Sequence, residues 1–133
     1  MEGSRSGKVT PKTKQWRGRL RAWALAPSMD AVVSMFALCT VADPARTLDE
    51  VLRVLKPGGM FVFMEHVAAP AGTVLRLMQR TSRSYWVRFA DGCLPDADTL
   101  PLIQAAGFSR VNYEAFSVAV PLISPHVAGM AIR

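Results

Sequence analysis

The side chains best placed for chemistry are a histidine beside an acid and two cysteines far apart. His66 follows Glu65. Histidine titrates in the range where proton transfer is useful, so His66 is a candidate general base that deprotonates an incoming thiol or hydroxyl. A histidine held for structure, with its ring satisfied in the core, is the competing reading. Cys39 and Cys93 fit neither a zinc nor a CxxC spacing, and two cysteines cannot build a disulfide framework. Reduced thiols in a cytosol-like compartment follow. Asp91 and Cys93 can line a substrate pocket, although Asp91-Gly92 is equally a turn. His126 reads most simply as a strand-start residue. No His, Cys and Asp grouping has metal-site spacing along the chain, so the sequence assigns no metal.

The elements that must position these groups are legible from periodicity. Asp30-Ala-Val-Val-Ser-Met-Phe-Ala-Leu-Cys39 opens with a continuous apolar run, the texture of a strand buried on both faces. Asp43-Pro44 is a helix start, with an N-cap and a first-turn proline. Leu48, Val51, Leu52 and Leu55 continue at helical spacing. Lys56-Pro57-Gly58-Gly59 is expected to stop that helix, and Met60–Met64 to form the next buried strand. Strand, helix and strand joined by so long a crossover predict a right-handed βαβ unit with parallel strands. Val74–Arg88 reads as helical with a break around Thr81–Ser84. Asp98 caps a helix that runs through Ala106 and ends at Gly107. Phe108–Val118 and His126–Ile132 complete the set as strands, with Val111, Tyr113 and Ala115 on one face.

Charge divides the chain sharply. Seven basic residues and one acid lie between Met1 and Trp23, whereas the rest carries nine of each, so the net +6 of the 133-residue chain sits in the first segment. Residues 1–28 read as a basic, disordered leader, and residues 29–133 as a domain. Within the leader, Trp16, Leu20 and Trp23 have helical spacing, so Gln15–Leu25 can form a short amphipathic helix able to touch anionic lipid or nucleic acid. A solvated leader or an organelle transit sequence are the alternatives. Half of the residues are hydrophobic, which excludes a wholly disordered or collagen-like chain. The longest nearly apolar run, Ala31–Ala42, falls well short of the roughly twenty residues of a membrane span. The expected compartment is intracellular, cytoplasm or organelle, and a membrane-peripheral position is compatible with it.

The stretch Asp30–Val67 resembles the second half of a class I S-adenosylmethionine-dependent methyltransferase domain of the type 11, UbiE-like branch. Asp30-Ala-Val-Val matches that family's fourth strand, and Arg53-Val-Leu-Lys-Pro-Gly-Gly59 its helix end before the fifth. Leu38–Val41, Phe63–Val67, Phe89–Cys93 and Pro125-His126 are similar to the methyltransferase-like 7 group, membrane-associated enzymes resembling alkyl-thiol S-methyltransferases. The resemblance implies an α/β, partial Rossmann-like fold holding strands four to seven of a sheet ordered 3-2-1-4-5-7-6. It implies S-adenosyl-L-methionine as cofactor, with Ser34, Met35, Phe36 and Cys39 along it, though each of these can equally be strand core. It implies a small-molecule methyl acceptor, a thiol or a related group.

The family's glycine-rich GxGxG turn and the acid that takes the cofactor ribose have no counterpart before Asp30. The chain is therefore expected to be a truncated domain whose cofactor-binding half is missing, and to be inactive or impaired. Its fourth strand would then be a bare sheet edge, inviting self-association or pairing with a full-length relative. A nucleic-acid partner is not expected.

Overall fold

The computed structural model describes residues 27–133. The basic leader, including Gln15–Leu25, lies outside the described residues except for Pro27 and Ser28. Seven elements follow in order: β1 (Met29–Met35), α1 (Pro44–Val54), β2 (Leu55–His66), α2 (Val74–Phe89), α3 (Thr99–Ala105), β3 (Arg110–Ser117) and β4 (Pro125–Ile132). They build one four-stranded sheet in the order β1-β2-β4-β3. β1 and β2 run parallel, as the long crossover requires, while β4 lies antiparallel to both β2 and β3.

α1 begins as its sequence dictates. Asp43 Oδ1 accepts from the Arg46 amide at 2.9 Å, and Pro44 occupies a position whose missing N–H costs nothing. The helix ends earlier than Lys56-Pro57-Gly58-Gly59 suggests. Leu55 is already extended (φ −67°, ψ 141°), and the four residues after it open β2 instead of closing α1. Proline disfavours helical angles in the residue before it, which places the stop upstream of Pro57. The same four residues form an irregularity in the sheet: Met29 pairs with Leu55, but Ala31 pairs with Met60. Gly58 takes φ +77°, and a Cβ on Gly59 would lie 2.9 Å from the Lys56 carbonyl oxygen and 3.2 Å from that of Asp30. Glycine is thus required where the strand is drawn against its neighbour.

α2 corrects a second expectation, because it runs unbroken through Thr81–Ser84. The hydroxyl of Thr81 donates to the Leu77 carbonyl at 3.0 Å, and that of Ser82 donates to Met78. Both satisfy themselves within the preceding turn and leave the helix intact. At α3 the N-cap position is held by Asp98, as expected, but its side chain makes no cap hydrogen bond. Arg76 of α2 claims the carboxylate through two bonds, at 3.1 and 2.8 Å, and ties the two helices together.

The two faces of the sheet have opposite fates. On one, Phe61, Phe63, Val127 and Ala131 are buried with Leu48 of α1, Leu55 at the start of β2 and Ile103 of α3. Phe61 stacks on both Phe63 and Phe108, each at 5.6 Å between centroids. On the other, Val33, Met35, Met60, Val62 and Met130 are exposed. β1, expected to be apolar enough for burial on both faces, is the sheet edge with Val33 69% and Met35 61% exposed.

β3 and β4 approach most closely where Tyr113 pairs with Gly129. A Cβ on Gly129 would meet the Asn112 carbonyl oxygen and lie 2.8 Å from Tyr113 Cα. These neighbours are backbone and cannot give way. Gly129→Ala is therefore expected to lower the unfolding free energy by about 2 kcal/mol or more, measured by urea denaturation. Gly72→Ala, where a Cβ meets nothing within 4 Å but φ is +82°, is the comparison that isolates backbone angle from crowding.

Candidate functional site

The carboxyl ends of β1 and β2, where a parallel sheet opens its ligand crevice, are joined by one acid. Glu65 is fully buried, and its Oε1 accepts from the Ser34 hydroxyl at 2.7 Å and from the Ala37 and Leu38 amides at 3.2 and 3.3 Å. The last parallel contact passes from Phe36 N to Met64 O at 2.9 Å. Phe36 itself has φ +51°, an unfavourable angle for an aromatic residue. That turn brings the next two amides round to face Glu65, so three donors on one carboxyl oxygen offset the backbone strain. Oε2 of the same group is buried without a partner among the described residues.

Beyond this turn the chain delivers Cys39 to the interior, 1% exposed, with Sγ 3.5 Å from the Phe36 carbonyl oxygen. His66, the last residue of β2, is 2% exposed and its Nε2 lies 2.8 Å from Cys93 Sγ. Cys93 follows a turn after α2 in which Asp91 and Gly92 both have positive φ, 49° and 88°. The Leu94 amide donates to the Cys39 carbonyl at 2.9 Å and locks this turn against the loop after β1. The ligand atoms of Cys39, His66 and Cys93 all lie within 4.8 Å of one another.

The electrostatics of the group favour neutral side chains. Burial, and secondarily the charge of His126, push the His66 imidazole down to about 4. Burial drives the Cys39 thiol up, and its hydrogen bond and charge interaction with Cys93, then Glu65, act in the same direction. A neutral imidazole at 2.8 Å can share a proton with a thiol. A base held near 4 is nevertheless weak at neutral pH, so the arrangement orients a thiol more readily than it ionises one.

The residues singled out in the sequence divide into three environments. Cys39, His66 and Cys93 come together, although each was read for a different task. Ser34 points to the covered side and is occupied by Glu65. Met35 and Phe36 stand at the exposed end of β1, and Asp91 is exposed in its turn. Two contributors were not legible beforehand. In the sequence Glu65 is only the neighbour of His66, and its anchoring role depends on a loop conformation that no spacing reveals. His126, read as a strand start, is 4% exposed and pairs across the sheet with His66. Its ring meets Phe36 edge-on at 5.6 Å and stacks with Phe116 at 5.5 Å. Only the β2–β4 register could have predicted that.

Comparison with known proteins gives a consistent result. The family pattern described as "Methyltransferase domain" matches residues 7–63, a range that starts within the basic segment. Thiol S-methyltransferase TMT1B of Rattus norvegicus is 40% identical over 108 residues, covering 80% of this chain and 44% of that protein. The Homo sapiens TMT1B is 36% identical with the same coverage. The chain thus spans less than half the length of these relatives. Among solved structures, an S-adenosylmethionine-dependent methyltransferase of Thermotoga maritima superposes with a TM-score of 0.58 at 20% identity, over 82% of this chain and 58% of that one. At that identity the likeness concerns the fold. Among the described residues, no helix is long and apolar enough to cross a membrane.

The site yields two expectations. Glu65→Ala strands the Ser34 hydroxyl and the Ala37 and Leu38 amides, and should cost about 3 kcal/mol or more in urea unfolding; Glu65→Gln, which keeps an acceptor, should cost less. The second concerns pH. His66 has its folded-state value lowered to about 4 from an ordinary 6.5. Its contribution is therefore fully present above 6.5 and is lost as pH falls toward 4, when the unfolded chain binds a proton that the folded one refuses. In chelator-containing buffer the loss should be on the order of 3 kcal/mol, and His66→Gln should remove that part of the pH dependence.

Proposed function

We propose that this chain, which belongs to the S-adenosylmethionine-dependent methyltransferase family, is by descent a methyltransferase for a small-molecule thiol and that residues 29–133 form the acceptor-side half of its domain. The observation that carries the reading is the cluster at the carboxyl ends of β1 and β2. There a neutral imidazole lies 2.8 Å from a sulfur atom, beside the exposed end of an edge strand. Methyl transfer from a sulfonium is an in-line displacement, so the protein's main task is to hold sulfur and methyl in alignment. A thiol acceptor suits a buried, sulfur-lined corner in which His66 orients a thiol by sharing its proton. Similarity to thiol S-methyltransferases of rat and human supports that choice of acceptor.

Cofactor capture is the weak point of the described half. Ser34 already serves Glu65, which leaves Met35, Phe36 and the neighbourhood of Cys39 as the family positions free to flank S-adenosyl-L-methionine. These offer apolar contact and no charged partner for the methionine or the ribose. On this reading the described half by itself captures the cofactor poorly. Radiolabelled S-adenosyl-L-methionine titrated into the purified chain should give no saturable binding in the micromolar range, and no methylation of an alkyl thiol. Micromolar affinity would overturn the impairment. Turnover with an alcohol or amine in preference to a thiol would overturn the acceptor class.

A second reading is favoured by the bare side of the sheet. Among the described residues β1 pairs on one side only, and the exposed Val33, Met35, Met60, Val62 and Met130 share a face next to it. This suits a non-catalytic module that self-associates or pairs its edge with a full-length relative. Co-expression with an intact thiol S-methyltransferase distinguishes the readings, since failure of the two to co-purify removes the second.

A further inference from the structure

We propose that Cys39, His66 and Cys93 form a binding site for a soft, thiophilic d¹⁰ cation, with zinc(II) as the probe that fits best. The chain has only two cysteines and two histidines, and three of these four side chains meet at one point. They arrive from three separate segments: the loop after β1, the end of β2 and the turn after α2. The inference does not rest on methyl transfer and would hold for a chain that transfers nothing.

Three features of the surroundings suit a cation. The donor set is two sulfurs and one imidazole nitrogen, a combination that zinc accepts with three protein ligands and an open fourth position. The backbone already holds the corners together. The Leu94 amide bonds to the Cys39 carbonyl, the Cys93 amide bonds to the Ala90 carbonyl, and the Thr99 hydroxyl reaches the His66 carbonyl. Finally, His66 Nε2 faces Cys93 Sγ in a corner where Cys39 is 1% and His66 2% exposed, so the donor atoms meet away from bulk water.

The geometry needs modest adjustment. With metal–sulfur and metal–nitrogen bonds of about 2.3 and 2.0 Å, a tetrahedral ion sets nitrogen and sulfur about 3.5 Å apart. The His66–Cys93 contact at 2.8 Å must open, and the longer separations, at most 4.8 Å, must close. Cys93 is half-buried on a turn and can supply the movement by rotating its side chain. Binding forms two metal–thiolate bonds and one metal–imidazole bond. The two thiol protons leave for solvent, nothing is oxidised, and the already neutral imidazole releases none. Among the described residues no fourth Cys, His, Asp or Glu atom joins the three, so water or an added ligand completes the shell.

Cobalt(II) titration of the full, reduced chain tests this directly, because thiolate bound to cobalt absorbs in the near ultraviolet and tetrahedral cobalt in the visible. The expected result is saturation at one cobalt per chain, with both bands bleached by one equivalent of zinc(II). Cys93→Ser should weaken binding at least tenfold and roughly halve the thiolate band, and Cys39→Ala/Cys93→Ala should abolish it. Asp49→Asn, exposed on α1, should bind as the parent does. Absence of a thiolate band in the parent chain at millimolar cobalt would overturn the proposal. So would a band that survives in the double variant, or equal loss in Asp49→Asn. The parent titration involves no substitution, so its outcome is independent of whether any variant folds.

Discussion

A single buried carboxyl oxygen holds the working end of this sheet in place. Glu65 sits one residue before the end of β2 and receives one hydroxyl and two amides from the chain leaving β1. Without it the loop at residues 36–39 would have no reason to turn through a positive φ at Phe36. With it, the loop is fixed to β2, Cys39 is carried inward, and the Cys39 carbonyl is available to Leu94. A chain of local bonds thus runs from Glu65 to Cys39 to the Cys93 turn and meets His66, which adjoins Glu65 in sequence. Burying an acid is costly unless its oxygens are satisfied, and here the donors that satisfy Oε1 are also the ones that shape the site.

The β1–α1–β2 unit was readable in advance because each local signal agreed with the next. An apolar run, an Asp-Pro start, helical spacing and a glycine-rich connection all specified the same unit. Details failed where tertiary contacts overruled local preference. The hydroxyls of Thr81 and Ser82 suggested a break but turned back on their own helix. Asp98 had the right type for a cap but a better partner in Arg76. The cluster was harder still. Metal-site reading by spacing looks for ligands a few residues apart, whereas here sheet order and a long crossover set the approach of Cys39, His66 and Cys93. Cross-strand neighbours such as His66 and His126 are invisible until the register is known.

The uncovered face has a related cause. Val33, Met35, Met60, Val62 and Met130 have the composition of a strand interior, yet among the described residues each remains exposed. The residues of the opposite face, from Leu48 to Ile103, form an ordinary core. A sequence carries the apolar pattern for both faces whether or not the covering layer is present. Thus β1 carries the pattern of a central strand and is, among the described residues, the edge that the sequence leads one to expect. The same sheet, with one face exposed among the described residues, holds the sulfur-lined corner at the end of β2.

The role of Glu65 as the pivot of the site is tested most directly by amide hydrogen exchange at Ala37 and Leu38. If both amides are held by the buried carboxyl oxygen, they should exchange as slowly as the paired amides of β2, despite lying in a loop beyond the edge strand. Exchange at the rate of the unprotected loop around Ala71 and Gly72 would contradict the account.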